Sequence, residues 1–361
     1  MRCKEMRIDY KVLGDYIGIV DTRNRDLSIT NLLGVSIAKK FIPSIANIVG
    51  TDLSNYKIVR TGQFAYGPVT SRNGEKISMA YLDSEDCIIS SSYTVFEVIK
   101  KDELDPEYLM LWFSRPEFDR YARYKSHGSV REIFDWNELC MVELPVPPIS
   151  EQRNIVKAYK TITGRIALKQ QINDNLEAQA INLYKAELKV CATDEIITGT
   201  ISDIGEFVRG KNITAAEMVE GNIPVISAGL QPSGHHHKSN VSGPSITVSG
   251  SGVNAGYVSF HLHDIWAADC SYNNSSCYVH CLYVMMKDIQ AQITELQKGT
   301  AQPHVYPKEL NPLEITYPNS DILNKLEHSL SKIFAVIEDN DNEISKLKQM
   351  QTVLLATLSS R

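Results

Sequence analysis

Residues 128–147 read GSVREIFDWNELCMVELPVP, and residues 299–318 read GTAQPHVYPKELNPLEITYP. The two stretches share a Gly, a Glu-Leu pair and a final Pro, and each landmark recurs at one constant offset in residue number, from Gly128 to Gly299 and from Pro147 to Pro318. Chance similarity does not hold one offset through three kinds of landmark, so the stretches indicate an internal duplication. This duplication decides the fold, because it makes the chain two copies of one scaffold.

The duplication continues on both sides of these stretches. Downstream, Ile155 matches Leu326 at the same offset. Upstream, residues 13–16 (LGDY) resemble residues 201–204 (ISDI) at a larger offset, so the first copy carries a net insertion of 17 residues. The two copies match at their ends and differ in length in the middle. We therefore predict one scaffold that carries a different insert in each copy.

Each copy ends in an apolar pattern that is typical of a long helix. Apolar residues recur at alternating steps of four and three, which predicts a coiled-coil seam. The polar residues Lys169 and Asn340 occupy equivalent seam positions, where such residues commonly fix the register. Ser150 and Asp321 are the predicted N-caps of the two helices. The predicted seam positions are Ile155, Ile162, Ile166, Lys169, Leu176, Leu183, Leu326, Ile333, Ile337, Asn340, Leu347 and Leu354.

The part before each helix is rich in strands and turns. Short apolar runs at residues 87–89, 94–99 and 245–248 are bounded by Gly, Ser, Asn and Pro, and residues 106–114 have a helical pattern. We therefore predict an α+β fold in which two strand-rich, mixed α/β globules alternate with two long helices. The helices are expected to pair as an antiparallel coiled coil, with a pseudo-twofold axis between the two copies. The predicted boundaries are residues 1–149 and 191–319 for the globules, and residues 150–190 and 320–361 for the spacer helices.

The composition indicates a soluble, cytoplasmic protein. No stretch approaches the roughly 20 apolar residues of a membrane helix, and the first residues do not resemble a signal peptide. Seven scattered cysteines favour a reducing compartment over a disulfide framework. The net charge of −6 argues mildly against a nucleic-acid partner, because duplex DNA attracts basic surfaces.

Two segments carry a family resemblance. Residues 144–153 (LPVPPISEQR) resemble the junction between recognition domain and helix in the specificity subunits of type I restriction–modification systems. Residues 299–304 (GTAQPH) resemble the Gly-(Ser/Thr)-x-Gln-Pro segment that precedes this junction in the family. There are two departures: Val130-Arg131 stands where the second copy has Ala301-Gln302, and the second junction (residues 317–321, YPNSD) lacks the Glu-Gln pair.

The resemblance implies a non-catalytic DNA-recognition subunit. Each globule is then expected to be a target-recognition domain for one half of a bipartite, asymmetric site in double-stranded DNA. Two modification (methyltransferase) subunits that use S-adenosylmethionine are expected to dock on the helical region, and restriction subunits are expected to add an ATP- and Mg²⁺-dependent nuclease. This chain itself is expected to bind no cofactor and no metal. The alternative is a coiled-coil adaptor whose two heads bind proteins and never touch DNA.

Candidate DNA contacts are polar or basic residues in predicted turns. Arg and Asn side chains suit guanine and adenine, respectively, and Lys suits phosphate. For most segments the alternative is an ordinary solvated turn, and for Gln302 it is a structural role, because its segment recurs in both copies. Residues 235–238 (HHHK) are predicted to lie in a polar loop between Gly234 and Ser239 that faces DNA, and plain solvent exposure is the alternative. A metal site and a tag remnant are disfavoured there, because three adjacent histidines do not easily share one metal and an internal tag is implausible. The candidates are Lys39, Lys40, Arg72, Asn73, Lys76 and Arg131 in the first globule, and Arg209, Lys211, Asn212, His236, Lys238, Ser251, Asn254 and Gln302 in the second.

Two patterns that would indicate an enzyme or a metal site are incomplete. Residues 205–212 (GEFVRGKN) nearly match a phosphate-binding loop, but Asn212 stands where the pattern needs Ser or Thr to hold Mg²⁺. Cys270, Cys277, His280 and Cys281 lack a Cys-x₂-Cys pair, and in a strand His280 and Cys281 would point to opposite faces. We therefore expect neither nucleotide nor zinc binding, and buried strand thiols instead.

Overall fold

The computed structural model describes residues 10–44, 50–71, 73–128, 131–298 and 303–358. The chain divides into two compact units, Met1–Ile166 with Lys346–Arg361, and Ala167–Ser345. Each unit therefore takes part of both long helices, α4 (Ile149–Val190) and α9 (Ser320–Thr357). Within the described ranges, no helix has the length and apolar character needed to span a membrane.

In the first unit, short strands precede three helices, and the long helix α4 follows. Helix α1 begins where Asp105 accepts hydrogen bonds from the backbone N–H groups of Glu107 (2.9 Å) and Tyr108 (3.2 Å), with Pro106 in the first turn. The strands are β1 (Tyr10–Val12), β2 (Ile17–Val20), β3 (Leu33–Val35), β4 (Phe41–Pro43), β5 (Lys57–Val59), β6 (Phe64–Tyr66), β7 (Met79–Tyr81), β8 (Cys87–Ile89), β9 (Thr94–Val98) and β10 (Glu143–Pro145). The helices are α1 (Pro106–Phe113), α2 (Pro116–Tyr124) and α3 (Trp136–Cys140).

The second unit follows a similar order, with one short helix after its first strand, most helices after the next-to-last strand, and a last strand before α9. Its strands are β11 (Ile196–Thr200), β12 (Val208–Arg209), β13 (Ile223–Ile226), β14 (Gly234–His236), β15 (Ser245–Ser249), β16 (Val258–His261), β17 (Trp266–Ala267), β18 (Cys270–Asn273) and β19 (Glu314–Pro318). Its helices are α5 (Ile201–Ile204), α6 (Val279–Asp288), α7 (Gln290–Glu295) and α8 (Pro307–Leu310), and α9 follows β19.

Each unit contains a four-stranded antiparallel sheet of the same topology. The strand orders are β2-β9-β6-β7 and β12-β18-β15-β16. The registers also agree, because Tyr66 faces Met79 and Thr94, as Val248 faces Val258 and Ser271. A separate antiparallel pair joins the start of each copy to its end, β1 with β10 and β11 with β19. The two copies seen in the sequence therefore share one pattern of strand pairing.

The remaining strands differ between the units. The first unit has the pairs β3–β4 and β5–β8, both antiparallel. The second has a three-stranded sheet, β14-β13-β17, in which β13 and β17 run parallel. These elements occupy the unequal middle of each copy, as the sequence offsets predict.

The landmarks of the sequence duplication are core residues. Leu13 and Ile201 are both 0% exposed, and so are Leu139 and Leu310. They pack in separate clusters, one in each unit, and the cluster of the first unit is rich in aromatic rings, with Phe64 stacked on Phe96 at 4.8 Å between ring centroids. The landmarks recur because the same packing positions occur twice.

The long helices run antiparallel in both units. In the first, Gln351 of α9 donates a hydrogen bond to Thr163 Oγ1 of α4 at 2.7 Å. In the second, Lys169 of α4 donates to Asn340 Oδ1 of α9 at 2.7 Å. The predicted α+β fold with two paired long helices is confirmed. The predicted domain boundaries stay predictions.

Several local predictions are wrong. Helix α4 begins at Ile149, so Ser150 is not its N-cap, and the backbone N–H groups of Glu151 and Gln152 donate to Pro148 O. In α9 the cap is Asn319 rather than Asp321, because Asn319 Oδ1 accepts a hydrogen bond from Ile322 N at 3.1 Å.

Two further segments have a different secondary structure from the predicted one. His280 and Cys281 lie in helix α6 and not in a strand. Residues 234–236, predicted as part of a polar loop, form strand β14. Of the cysteines, Cys270 is a buried strand thiol as predicted, Cys281 is buried in a helix, and Cys277 is exposed.

His261 gives the second unit a pH-dependent stability. Its Nε2 lies 2.8 Å from Thr247 Oγ1 on the neighbouring strand, and burial lowers the pKa of His261 to about 4. An unfolded histidine has a pKa near 6.5, so the unfolded chain binds the proton first as the pH falls. The free energy of unfolding is therefore expected to fall by about 3 kcal/mol between pH 6.5 and pH 4, and to be unaffected by this group above pH 6.5. Urea unfolding across this range measures the loss, and a His261→Gln variant with the same pH dependence would contradict it.

Candidate nucleic-acid interface

In each unit, the same pair of backbone hydrogen bonds closes a short loop; we call this pair the closing bridge. In the first unit, His127 and Ile133 exchange two N–H···O hydrogen bonds of 3.1 and 2.9 Å. In the second, Lys298 and His304 do so at 3.1 and 2.9 Å, and both partners stand at the offset of the sequence duplication. We call these segments the bridged loops, residues 127–133 and 298–304. Residues 129–130 and 299–302 lie outside the described part of the chain.

The bridged loops are also anchored in the same way. Thr70 N donates to Glu132 O at 3.0 Å, and Gly252 N donates to Pro303 O at 3.0 Å. Just beyond each loop, Phe134 N donates to Pro68 O at 2.9 Å, and Val305 N donates to Gly250 O at 3.2 Å. In both units the anchoring segment, residues 68–70 and 250–252, follows the equivalent strand of the four-stranded sheet, β6 in the first unit and β15 in the second. The equivalence therefore extends to individual main-chain hydrogen bonds.

In the first unit, this anchoring brings several candidate DNA contacts together. The turn at residues 70–76 is bonded to the bridged loop through Thr70, and Arg131 and Lys76 are exposed. Asn73 is half-buried, and its Nδ2 donates to Val69 O at 3.3 Å. Lys40 is exposed. The predicted contact Arg72 lies outside the described residues.

Lys39 is placed differently from its exposed neighbour. Its Nζ is 2.6 Å from Asp119 Oδ1, and the two side chains are only 10% and 11% exposed. Burial lowers the pKa of Lys39, while Asp119 opposes this shift and the nearby charge of Lys76 adds to it. The geometry gives Lys39 a role in holding α2 and favours Lys40 and Lys76 as the cations available to a ligand.

In the second unit, Asp269 holds two candidate contacts. Its carboxylate accepts hydrogen bonds from the Arg209 guanidinium and from Ser251 Oγ. Arg209 also lies over the ring of Tyr306, 4.8 Å from the centroid. Asn254 is half-buried in a short helical turn beside the bridged loop, next to Val253, which is 92% exposed. Gln302 lies outside the described residues.

The other candidates of the second unit surround Trp266. His236 is 6% exposed, its Nδ1 accepts a hydrogen bond from Val219 N at 3.0 Å, and its ring packs on Trp266. This geometry favours a packing role for His236. Lys211, Asn212 and Lys238 are exposed, and the backbone carbonyl of Lys211 accepts a hydrogen bond from Trp266 Nε1 at 2.8 Å.

The two patterns that resembled enzyme or metal sites have other structures. The segment that resembles a phosphate-binding loop contains strand β12, which pairs with β18, and Lys211 N donates to Ala267 O, so the backbone of this segment is hydrogen-bonded to neighbouring strands. His280 Nδ1 lies 2.6 Å from Glu327 Oε1, and Glu327 also accepts from the backbone N–H of Cys281. These hydrogen bonds lower the pKa of Glu327 although burial opposes the shift. Among the described residues, no group of three or more His, Cys, Asp or Glu side chains is placed to hold a metal ion.

A polar cluster interrupts the seam between the long helices in the second unit. Asn340 is 5% exposed; its Oδ1 accepts from Lys169 Nζ, and its Nδ2 donates to Asn173 Oδ1 at 2.7 Å. Lys169 also pairs with Glu343 at 2.8 Å, and Asn173 Nδ2 donates to Asp341 at 2.8 Å. These bonds join fixed positions on the two helices. The remaining predicted seam residues are buried or half-buried: Ile155, Ile162, Ile166, Leu176, Leu183, Leu326, Ile333, Ile337, Leu347 and Leu354.

Replacing Asn340 with alanine is expected to destabilise the second unit by about 1–3 kcal/mol, because its half-buried partners Lys169 and Asn173 each lose a hydrogen bond and a buried side chain is truncated. Urea unfolding measures the loss. The matched control is Gln351→Ala, which removes a single hydrogen bond to Thr163. A smaller effect for Asn340→Ala than for this control would contradict the assigned geometry.

A family model described as type I restriction modification DNA specificity domain matches the chain twice, at residues 15–178 and 194–353. The chain belongs to this family. Each match contains one four-stranded sheet and one bridged loop, and each extends into the long helix that follows. The duplicated scaffold is therefore the family domain, present twice.

Relatives and a solved structure agree with this family membership. The chain is 22% identical over 305 residues to a type I restriction enzyme specificity subunit from Methanocaldococcus jannaschii, a match that covers 72% of this chain and 70% of that protein. It is 23% identical over 189 residues to a putative type I specificity subunit from Mycoplasma genitalium, covering 51% of this chain and about half (48%) of that relative's length. A crystal structure of a type I restriction–modification S subunit from M. genitalium has the same fold, with a TM-score of 0.58 at 16% identity over 99% of this chain and 98% of that one.

The Glu-Gln pair of the family junction has a visible structural role here. Gln152 is 0% exposed; its Oε1 accepts from Asp105 N, and its Nε2 donates to Glu103 O and Pro147 O, all within 2.7–2.8 Å. The equivalent residue of the second copy is Leu323, which is 2% exposed and packs in the core of the second unit. The second junction therefore departs from the family pattern by replacing a hydrogen-bonded anchor with an apolar one.

Sequence reasoning missed the carboxylates that hold the candidate contacts. Asp119 lies 80 residues along the chain from Lys39, and Asp269 lies 60 residues from Arg209. Glu132, next to Arg131, is bonded by Arg123. No local pattern marks Asp119 or Asp269, because each acquires its role only when distant segments meet, whereas the partner of Glu132 lies nine residues away.

Proposed function

We propose that this chain is a type I specificity subunit that reads a bipartite, asymmetric site in double-stranded DNA, one half with each unit. The observation that carries the proposal is one scaffold present twice, with the same bridged loop beside loops of unequal length and sequence. Because the scaffold is the same in both units and the loops on it differ, the two units are suited to read two different sequences. Exposed Arg131, Lys40 and Lys76 in one unit and Lys211 and Lys238 in the other supply local positive charge despite the net charge of −6.

A split site also has a physical rationale. A mismatched base pair typically costs about 1–3 kcal/mol, so a short half-site gives limited discrimination. Two linked readers act as a bivalent ligand, and a rigid connection raises the affinity only for halves at the correct separation. The two long helices, with their polar cluster, are the elements that connect the units.

Catalysis is assigned to partner subunits in this proposal. Two modification subunits that use S-adenosylmethionine dock on the helical region, and restriction subunits add ATP- and Mg²⁺-dependent cleavage in the cytoplasm. The chain is then a non-catalytic component, and it binds none of these cofactors itself.

The test is to co-express the chain with its modification partner and to map methylated bases across the host genome. We expect one split motif with a fixed gap, present only when both chains are made. In a chimeric chain, residues 191–319 are replaced with the second recognition domain of another family member, and only one half of the motif should change. Assembly with the partner but no motif-specific methylation would favour the protein-binding adaptor, and a change in both halves would contradict separate readers.

A further inference from the structure

The bridged loops are closed and anchored by the same main-chain hydrogen bonds in two units that otherwise differ beside them. Their closing bridges and both anchoring hydrogen bonds match, and the residues of the two closing bridges stand at the offset of the sequence duplication. The loops next to them do not match. Tyr66 and Met79 are paired across β6 and β7, and Val248 and Val258 across β15 and β16, so the chain between the paired strands is longer in the first unit than in the second.

The bridged loops, which the units share, and the neighbouring loops, which differ, are suited to contact different parts of the DNA. This step rests on the proposed function, in which the two units read different half-sites. Two DNA half-sites of different sequence share the sugar-phosphate backbone and not the base edges. Phosphate contacts fix the position of a protein on DNA, whereas base contacts carry the sequence information. An element that is closed and anchored in the same way in both units is therefore suited to the backbone, and the unequal loops are suited to the bases.

Arg131 is the side chain of the first bridged loop with the chemistry for this contact. It is exposed, and the structure gives it no ion pair among the described residues, while the adjacent Glu132 is already bonded to Arg123. The loop's closure depends on Gly128, which has φ +139°, and whose added Cβ would lie 2.1 Å from Arg131 O. Lys76 is exposed on the turn that is hydrogen-bonded to the loop through Thr70.

We propose that Arg131 binds a phosphate of the DNA backbone at the first half-site and does not read a base. Arginine is suited to this role because its guanidinium is always charged and presents several N–H donors to phosphate oxygens. A docked modification subunit is the other ligand that both units have in common. The local cations Arg131 and Lys76 favour the phosphate, because the DNA backbone carries one negative charge per about 1.7 Å of helix axis.

The experiment measures the affinity of the assembled complex for a DNA fragment that contains the mapped motif and for one in which the motif is scrambled, across a range of salt concentrations. For Arg131→Gln, both affinities are expected to fall by the same factor, and the slope of log affinity against log salt should decrease by about 0.9. The methylated motif should remain unchanged. Arg131→Lys should retain the slope, and a thermal unfolding curve confirms that each variant is folded.

The matched control is Arg60→Gln. Arg60 is 60% exposed, precedes β6, and is paired with Asp86, so it lies at the end of that strand opposite to the bridged loop. The Arg60→Gln substitution should leave the slope of log affinity against log salt unchanged. Relaxation of the motif at one position in Arg131→Gln would overturn the proposal in favour of base reading, and loss of the modification subunit would overturn it in favour of a protein contact. An unchanged slope would also overturn it, whereas a wild-type complex without sequence preference would instead refute the proposed function.

Discussion

Replacing Asp119 with alanine is expected to lower the free energy of unfolding of the first unit by about 3–5 kcal/mol. The substitution leaves the ammonium of Lys39 in a site where only 10% of its side chain is exposed. The backbone N–H of Ile77 also loses its acceptor, because it donates to Asp119 Oδ1 at 3.1 Å. A loss of this size is a large share of the stability of an ordinary domain.

The double variant Lys39→Met with Asp119→Leu is the control for this expectation. Replacing both partners of a buried ion pair with apolar residues is often neutral or stabilising, so the part of the loss that comes from the unpaired ammonium should be recovered. The part that comes from the Ile77 N–H should remain, because leucine offers it no acceptor. Urea unfolding followed by tryptophan fluorescence measures all variants, and linear extrapolation gives the free energies. A cost below about 1 kcal/mol for Asp119→Ala would match an exposed pair instead and would refute the burial of this contact.

Lengthening both long helices by one heptad is expected to change the gap of the recognised site and to leave both half-sites intact. The insertions belong after Ile166 and after Ser345, where the chain passes between its two units. Seven helical residues add about 10 Å, which is about three base pairs of DNA. The inserted segments keep the apolar steps of four and three, so the seam remains continuous. Mapping of methylated bases in cells that make the variant and its modification partner gives the new gap.

An insertion after Ile166 alone is the control for the paired insertion. It lengthens α4 but not α9, so the apolar positions of the two helices no longer face each other along the whole seam. Motif-specific methylation should therefore be lost. An unchanged gap with the paired insertions would show that the helices do not set the separation of the half-sites. Altered half-sites would show that the helices contribute to base recognition.

The sequence was sufficient for the architecture because the duplication is carried by buried residues. Leu13 and Leu139 recur as Ile201 and Leu310, and packing restricts all four to apolar side chains. The constant offset also extends to main-chain bridges that no sequence pattern displays. The steps of four and three in the helices are visible for the same reason, since they reflect burial along one face.

Local details were less predictable where several structures suit one pattern. The run around His280 is continuously apolar, and such runs suit a buried strand as well as a buried helix; here helix α6 buries nearly all of its faces. The N-cap of α9 was misplaced because Asn319 and Asp321 are both good caps, and the end of β19 decides between them.

The candidate site could be predicted only as a set of exposed polar turns. Contacts such as Lys39 with Asp119 and Arg209 with Asp269 join distant segments, and they separate the cations that are held internally from those that remain available. That distinction requires tertiary structure. Whether the available residues contact DNA stays a prediction, and the Arg131 variants test it.

The bridged loops are fastened by main-chain atoms, and this has a consequence for how new specificities arise. The anchoring residues are Thr70, Glu132, Pro68 and Phe134 in one unit, and Gly252, Pro303, Gly250 and Val305 in the other. None of these side chains is shared, yet the hydrogen bonds are the same. Substitutions can therefore accumulate at these positions while the main-chain hydrogen bonds that anchor the loops are kept. Under the proposed function, a lineage that gains or exchanges such a domain can acquire a new target while the long helices stay as they were.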